Sequence, residues 1–366
     1  MYQNNCMITD DGFGIHTFEL TIPSITKREF KRIRTSLKVK RIYTENYNRM
    51  IRIYPKKRGL RIWLNHTKNN LYNIKVVVSP RRLIDESSDA VSILRSDDNF
   101  ELLRMVLNDV LEECLGEKYS MDSFTLSRID CCVNIMLTES FSAQRYVKLI
   151  RRSMKYNDNA KIVEYPDDIP DSAQKNKHSF RIKTGDFTFT AYDKYFQLED
   201  IGENFEKASE AFLRLEIAIN RDKIRDMLVN IPNGISNLEL LHVFTYSSRE
   251  IFEEYINQHF FNGNYFYISD MRTLINKSGF TQKLKKLMLL YADMQCSKKT
   301  FTSAQKEFYM VPGNSEFIIK KMYNHFESIG VYPVSLSFRD KHGKKEVTGL
   351  YEMLGLKRRN KGGKMI

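Results

Sequence analysis

The chain has 366 residues and carries 58 Lys and Arg against 45 Asp and Glu, a formal charge of +13. With 42 % hydrophobic and 12 % aromatic residues but only 16 Gly and 8 Pro, it can bury a sizeable core. That excludes wholesale disorder and collagen-like or linker-like architectures. The basic excess points to a polyanionic partner, nucleic acid or an anionic membrane surface, although many ordinary soluble proteins share such a balance.

The five cysteines, Cys6, Cys114, Cys131, Cys132 and Cys296, include no CxxC pair. A disulfide framework or zinc knuckle is therefore not expected, and reduced thiols are the default. Met1 to Asp11 is polar and acidic, without the apolar stretch of a signal peptide. No run approaches the roughly 18 uncharged apolar residues of a membrane span. The expectation is a cytoplasmic chain with no membrane partner.

Along the chain, Ile15 to Ile22 alternates apolar and polar residues behind Gly12 and Gly14 and predicts a strand. Ser24 stands as the expected N-cap of a basic helical pattern over 27–34. β-type runs follow over 50–54, 60–64 and 72–78, and 97–115 carries the broad apolar stripe of a long amphipathic helix. Residues 124–137 form the strongest strand pattern, with a helix expected after Ser140. Residues 156–178, polar and containing Pro166 and Pro170, read as a long loop. A hairpin is expected from 179–183 and 186–198 around Thr184-Gly185, then a strand over 212–219 and a short helix from about Asn220.

The Ile231-Pro232-Asn233-Gly234 turn is the expected domain boundary. Beyond it lie helical patterns over 247–259, 268–277, 282–292, 303–309 and 315–329, a β-type run over 332–338 and a helical pattern over 346–354. The chain ends in a basic tail from Lys357 to Lys364. The predicted architecture is α+β: a central, mostly antiparallel sheet with flanking helices over 1–230, and a helical C-terminal domain over 231–366.

Three strands carry the informative chemistry. In Leu126 to Ile135, alternation puts Arg128, Asp130, Cys132 and Asn134 on one face and Ile129, Cys131, Val133 and Ile135 on the other. In Phe187 to Lys194 it makes Tyr192 and Lys194 project together, and in Phe212 to Ile219 it puts Arg214 and Glu216 opposite a clean apolar face. Each strand alone also reads as a surface ion pair or a half-exposed aromatic. Together, if neighbouring, they make a phosphodiester-cleaving site. Asp130 and Glu216 would hold Mg²⁺ or Mn²⁺, hard cations that take oxygen ligands and leave room for phosphate. Tyr192 is the natural nucleophile, its phenol activated by a nearby cation such as Lys194.

The order Arg128-Ile129-Asp130, Tyr192-Asp193-Lys194, Arg214-Leu215-Glu216 resembles the R-I-D, Y-D-K and R-x-E signatures of the rolling-circle replication initiators of small plasmids and filamentous phages. The three motifs lie within 126–219, and Val331-Tyr332-Pro333-Val334 resembles the tail of the phage type. The resemblance implies a relaxase-like Rep nuclease fold and a nicking-joining endonuclease. Such an enzyme cuts one strand at a replication origin, stays on the 5′ phosphate through tyrosine and leaves a 3′-OH primer. It assigns Tyr192 as nucleophile, Asp130 and Glu216 as metal ligands, and Lys194 and Arg214 as supporting phosphate contacts. Tyr195 is the second candidate nucleophile, because a bulge would change its facing. His16, His66 and His178 are scattered, so the His-hydrophobe-His pair of the better-known relaxases is absent and the carboxylate-metal variant is favoured.

The implied partner is origin DNA, single-stranded or cruciform. Lys27, Arg28, Lys31, Arg32 and Arg34 on the first helix offer one basic surface. Arg49, Arg52, Lys56, Lys57, Arg58 and Arg61 around a hairpin with Pro55 and Gly59 offer a denser one. The C-terminal domain is expected to recognise the origin or to contact a host helicase. Two other classes fit the same residues: a non-catalytic origin-binding regulator, and a metal-dependent nuclease that uses water.

Overall fold

The computed structural model of the protein describes residues 6–36, 43–45, 48–53, 59–67, 69, 71–85, 91–137, 143–154, 160–165, 171–185, 187–200, 211–229, 234–260, 264–296, 331–336 and 346–356. Its centre is a ten-stranded sheet whose described pairings are all antiparallel. The strands are β1 (Cys6–Ile25), β2 (Tyr43–Glu45), β3 (Asn48–Ile53), β4 (Leu60–His66), β5 (Tyr72–Val78), β6 (Thr125–Leu137), β7 (Ala160–Val163), β8 (Ser179–Thr184), β9 (Phe187–Asp193) and β10 (Ala211–Asn220). Their spatial order is β2-β3-β4-β5-β1-β6-β10-β9-β8-β7. The three strands singled out by their chemistry, β6, β10 and β9, are thus consecutive neighbours.

The register explains the layering. Ile129, Cys131, Val133 and Ile135 of β6 stand opposite Ile219, Ile217, Leu215 and Leu213 of β10. Phe189 and Ala191 of β9, Phe180 and Ile182 of β8, Phe18 and Leu20 of β1, Val76 and Val78 of β5 and Ile62 of β4 continue the same face. These side chains belong to one buried core. Period-2 alternation over that many strands makes one side of the sheet continuously apolar.

The helices are α1 (Lys27–Ser36), α2 (Pro80–Ile84), α3 (Phe100–Leu115), α4 (Ala143–Arg152), α5 (Ser172–His178), α6 (Lys194–Asp200), α7 (Arg221–Met227), α8 (Asn237–Tyr246), α9 (Ser248–His259), α10 (Ile268–Lys277), α11 (Gln282–Cys296) and α12 (Leu350–Met353). α4 packs on β8, β9 and β10, while α8 and α9 pack on β1 and β6. Tyr146, Leu149 and Ile150 of α4 and Leu241, Phe244, Phe252 and Ile256 of α8 and α9 join the core. None of these helices crosses a membrane: among the described residues, no helix is long and apolar enough.

Several expectations change. The N-cap of α1 is Thr26, whose hydroxyl accepts from the Glu29 backbone N–H while Glu29 accepts from that of Thr26; Ser24 lies inside β1. Residues 156–178 are no continuous loop, since they hold β7 and α5. The second hairpin strand stops at Asp193, whose side chain accepts from the Phe196 N–H at 3.2 Å and starts α6.

The buried core of the sheet also takes in side chains beyond the boundary expected at 231–234, residues 231–233 lying outside the described residues. Tyr255 of α9 stacks on Phe189 with centroids 5.6 Å apart, and its hydroxyl accepts a 3.2 Å bond from Thr184. The expected helical domain also carries a small sheet, β12-β11-β13, from β11 (Asn264–Tyr267), β12 (Val331–Leu336) and β13 (Glu346–Val347). The helical patterns over 303–309 and 315–329, Lys56 to Arg58 and the basic tail lie outside the described residues.

Candidate active site

The second face of the sheet is polar. Arg128, Asp130, Cys132 and Asn134 of β6 stand opposite Asn220, Ala218, Glu216 and Arg214 of β10. Arg214 and Glu216 in turn stand opposite Tyr192 and Thr190 of β9. Asp130 and Glu216 are diagonal neighbours across one strand pair, a relation that spaces side-chain origins by roughly 7–8 Å. Tyr192 is flanked by β10 on one side and by β8 on the other, with Ser179 as its partner there.

The Tyr192 hydroxyl donates a 2.6 Å hydrogen bond to Glu216 Oε1. His16 Nδ1 lies 2.8 Å from the same oxygen. His16 was no candidate in the sequence, and the reason is a β-bulge. Ile15 faces Cys131 and Thr17 faces Asp130, so His16 is an extra residue in β1 with no partner on β6. A bulge re-aims a side chain that simple alternation would misplace. Here it delivers an imidazole to the carboxylate beside the phenol.

The charges around this trio set its protonation. Burial works to raise the Glu216 pKa, but His16, Arg214 and the Tyr192 hydroxyl outweigh it and hold the carboxyl well below its ordinary range. Burial and the negative Glu216 push the Tyr192 phenol well above 10, against the pull of Arg214. His16 is lowered by burial to about 4, with Glu216 opposing and Arg214 and Lys194 adding to the shift. The resting trio is therefore a neutral phenol and a neutral imidazole around an anionic carboxylate.

Arg214 is fully buried and already committed: its Nε donates to Asn134 Oδ1 at 2.7 Å and Nη2 to the Val91 carbonyl. The segment holding Val91 reaches the sheet because Leu94 bridges to Ile15 and lies over Gly14, where a Cβ would come within 2.3 Å of the Leu94 oxygen. The guanidinium thus serves as a built-in positive charge beside Tyr192 and Glu216, with Nε and Nη2 turned into the protein and Nη1 buried without a hydrogen-bond partner among the described residues. Lys194 opens α6 instead of extending the strand, yet its ammonium still lies 5.9 Å from the Tyr192 ring centroid and donates to Gln197 at 2.7 Å. Tyr195, one residue further into α6, hydrogen-bonds Glu199 and is pushed up by it.

Asp130 has a different setting. Thr17 and Arg128 donate to its Oδ2. Its Oδ1 is buried and accepts no hydrogen bond, although Arg128 Nε is 2.9 Å away. Burial raises the Asp130 pKa, Arg128 opposes this and Glu216 reinforces it. Among the described residues no three His, Cys, Asp or Glu side chains converge as a metal cage. Mg²⁺ does not need one, because one or two carboxylates with waters and substrate phosphate suffice. Asp130 Oδ1, buried, without a hydrogen bond and facing only the Arg128 ion pair, lies one diagonal from a second carboxylate, a donor pair that fits such an ion.

Tyr192, Glu216 and His16 open into a cleft of about 330 Å³ whose other lining includes His178, Asp193, Phe196, Lys175 and Arg181. Basic side chains flank the acidic centre on the same sheet face. Lys75 of β5, ion-paired with Glu19 at 3.0 Å, and the exposed Arg61 of β4 lie to one side. The exposed Arg181 and Lys183 of β8 and Lys161 of β7 lie to the other. On α1, Lys27, Arg28, Lys31 and Arg34 are exposed, while Arg32 also donates to the Leu115 carbonyl at 2.9 Å. No protein-family model and no curated protein matches the sequence.

Proposed function

We propose that the protein is a nicking-joining endonuclease of the rolling-circle initiator kind, acting on single-stranded or cruciform origin DNA through Tyr192. The observation that carries this reading is the 2.6 Å bond from the Tyr192 hydroxyl to Glu216, on the same polar sheet face as Asp130. Tyr192 stands next to the Glu216 strand and lines an open cleft, where a structural tyrosine would need the acceptor but not the opening. A nucleophile gains a proton acceptor, nearby positive charge and access for a phosphate.

In the proposed reaction DNA lies across the polar face, its phosphates drawn to Arg61 and Lys75 on one flank and to Arg181, Lys183 and Lys161 on the other. Such contacts are independent of sequence and weaken with salt. Tyr192 Oη attacks the scissile phosphorus, and its proton passes to Glu216 only as the oxygen–phosphorus bond forms and the phenol oxygen loses its affinity for the proton. Lys194 and the buried Arg214 stabilise the charge that develops on the phenol oxygen. Arg214 acts as a positioning residue and holds Tyr192 and Glu216 in register. Asp130 Oδ1 and Glu216 would hold a divalent cation, Mg²⁺ or Mn²⁺, that neutralises the carboxylates, lowers the phenol's pKa and polarises the phosphate.

The test is covalent trapping. A 3′-labelled pool of random-sequence single-stranded oligonucleotides is incubated with the full chain and Mn²⁺, then run on a denaturing gel. The label belongs at the 3′ end because the enzyme keeps the fragment downstream of the cut. A labelled protein band that disappears in Tyr192→Phe is the expected result. Cleavage without an adduct identifies a hydrolytic nuclease, and binding without cleavage identifies a regulator; either overturns the proposal.

A further inference from the structure

Strand transfer to Tyr192 releases a deoxyribose 3′-oxygen, and nothing in the trio above supplies its proton. The cleft holds a second ionisable pair that the reaction so far leaves unused. His178 is the last residue of α5 and Asp193 the last of β9. The His178 Nδ1 lies 3.0 Å from Asp193 Oδ2, and the imidazole stacks on Phe196 with centroids 4.0 Å apart and planes 13° from parallel. Asp193 is itself anchored, because its other oxygen accepts from the Phe196 N–H at 3.2 Å. The ring is thus held in position, and a proton on Nδ1 donated to the carboxylate leaves Nε2 for other work.

We infer that His178 is the general acid that protonates the departing 3′-oxygen during nicking, with Asp193 as its positioning residue. This rests on the Tyr192 reading above. Displacement at phosphorus is in line, so the groups serving the attacking and leaving oxygens belong on opposite flanks of the phosphate. Glu216 contacts the phenol from β10, and His178 lines the same cleft from the β8 side of β9. The step balances. The Tyr192 Oη–phosphorus bond forms as the phosphorus–3′-oxygen bond breaks. The phenol proton goes to Glu216 and the Nε2 proton of the His178 imidazolium goes to the 3′-oxygen. Rejoining runs the same transfers backwards, with His178 as the base that activates the 3′-OH.

The test uses the oligonucleotide sequence recovered from wild-type adducts, made once with the natural 3′-oxygen and once with a bridging 3′-sulfur at the scissile bond. A thiolate leaves without a proton because its conjugate acid has a pKa of about 8.5, whereas an alkoxide needs one. His178→Gln should slow cleavage of the oxygen substrate about 10²–10⁴-fold, the usual share of a general acid. It should cleave the sulfur substrate within a few-fold of the wild-type rate. Asp193→Asn, which keeps the α6 cap, should show the same pattern with a smaller loss. Equal losses on both substrates, or no loss on either, overturn the acid assignment while wild-type adducts persist. Absence of any wild-type adduct overturns this inference together with the Tyr192 reading.

Discussion

Asp130 and Glu216 are both carboxylates on the polar face of one strand pair, yet their surroundings drive them in opposite directions. Glu216 is ringed by donors and positive charge from His16, Tyr192 and Arg214, and burial cannot overcome them. Asp130 has one cationic partner, Arg128, which is itself 39 % exposed, and there burial prevails. Position on the sheet therefore does not set proton affinity; the number of buried partners does. Glu216 rests as an anion that holds the Tyr192 phenol through a hydrogen bond. Asp130 keeps a buried oxygen that accepts no hydrogen bond and faces Arg128 alone.

The two cations should separate most sharply. Replacing Arg214 by Met strands the Asn134 and Val91 oxygens and leaves Glu216 buried without its charge partner, so denaturant unfolding should show a loss of about 3–5 kcal/mol. Replacing Arg128 by Met removes a half-exposed partner and should cost no more than about 1 kcal/mol. The carboxylates give the next contrast. Glu216→Gln should destabilise by roughly 2–3 kcal/mol, because charged hydrogen bonds are lost. Asp130→Asn should stay within about 1 kcal/mol, since folding no longer dehydrates a carboxylate. Both variants should lose metal-dependent nicking and keep salt-dependent DNA binding. Nicking retained in both would remove them from the site.

The last contrast is in pH dependence. His16 is lowered to about 4 in the folded chain from an ordinary 6.5. Between those values the unfolded chain binds the extra proton, so its contribution is fully present above pH 6.5 and is lost as pH falls towards 4. The whole span is worth up to about 3 kcal/mol. Raised Asp130 has the opposite sign, so His16→Gln should flatten or invert the slope of unfolding free energy over this window. An unchanged slope would mean that the bulge does not bury His16 against Glu216.

The strands that carry the site were legible because β6, β9 and β10 alternate strictly, and alternation alone puts Asp130, Tyr192, Arg214 and Glu216 on matching faces. What alternation cannot show is where it is interrupted. The bulge at His16 depends on how β1 pairs with β6, a long-range fact with no local signature. The switch to helix at Lys194 hides in Asp193, which reads equally well as strand or cap. The Ser236 to Glu239 capping box that opens α8 was a readable signal. The burial of Arg214 was not readable, because it depends on the Val91 carbonyl, 123 residues away in the chain.

In the proposed reaction Tyr192 becomes covalently joined to DNA. Peptide mapping of the trapped adduct by mass spectrometry tests it most directly. The expected result is a nucleotide on the peptide containing Tyr192, none on Tyr195 alone, and none in Tyr192→Phe. A nucleotide on any other residue, or DNA cleavage that leaves every peptide unmodified, would contradict it.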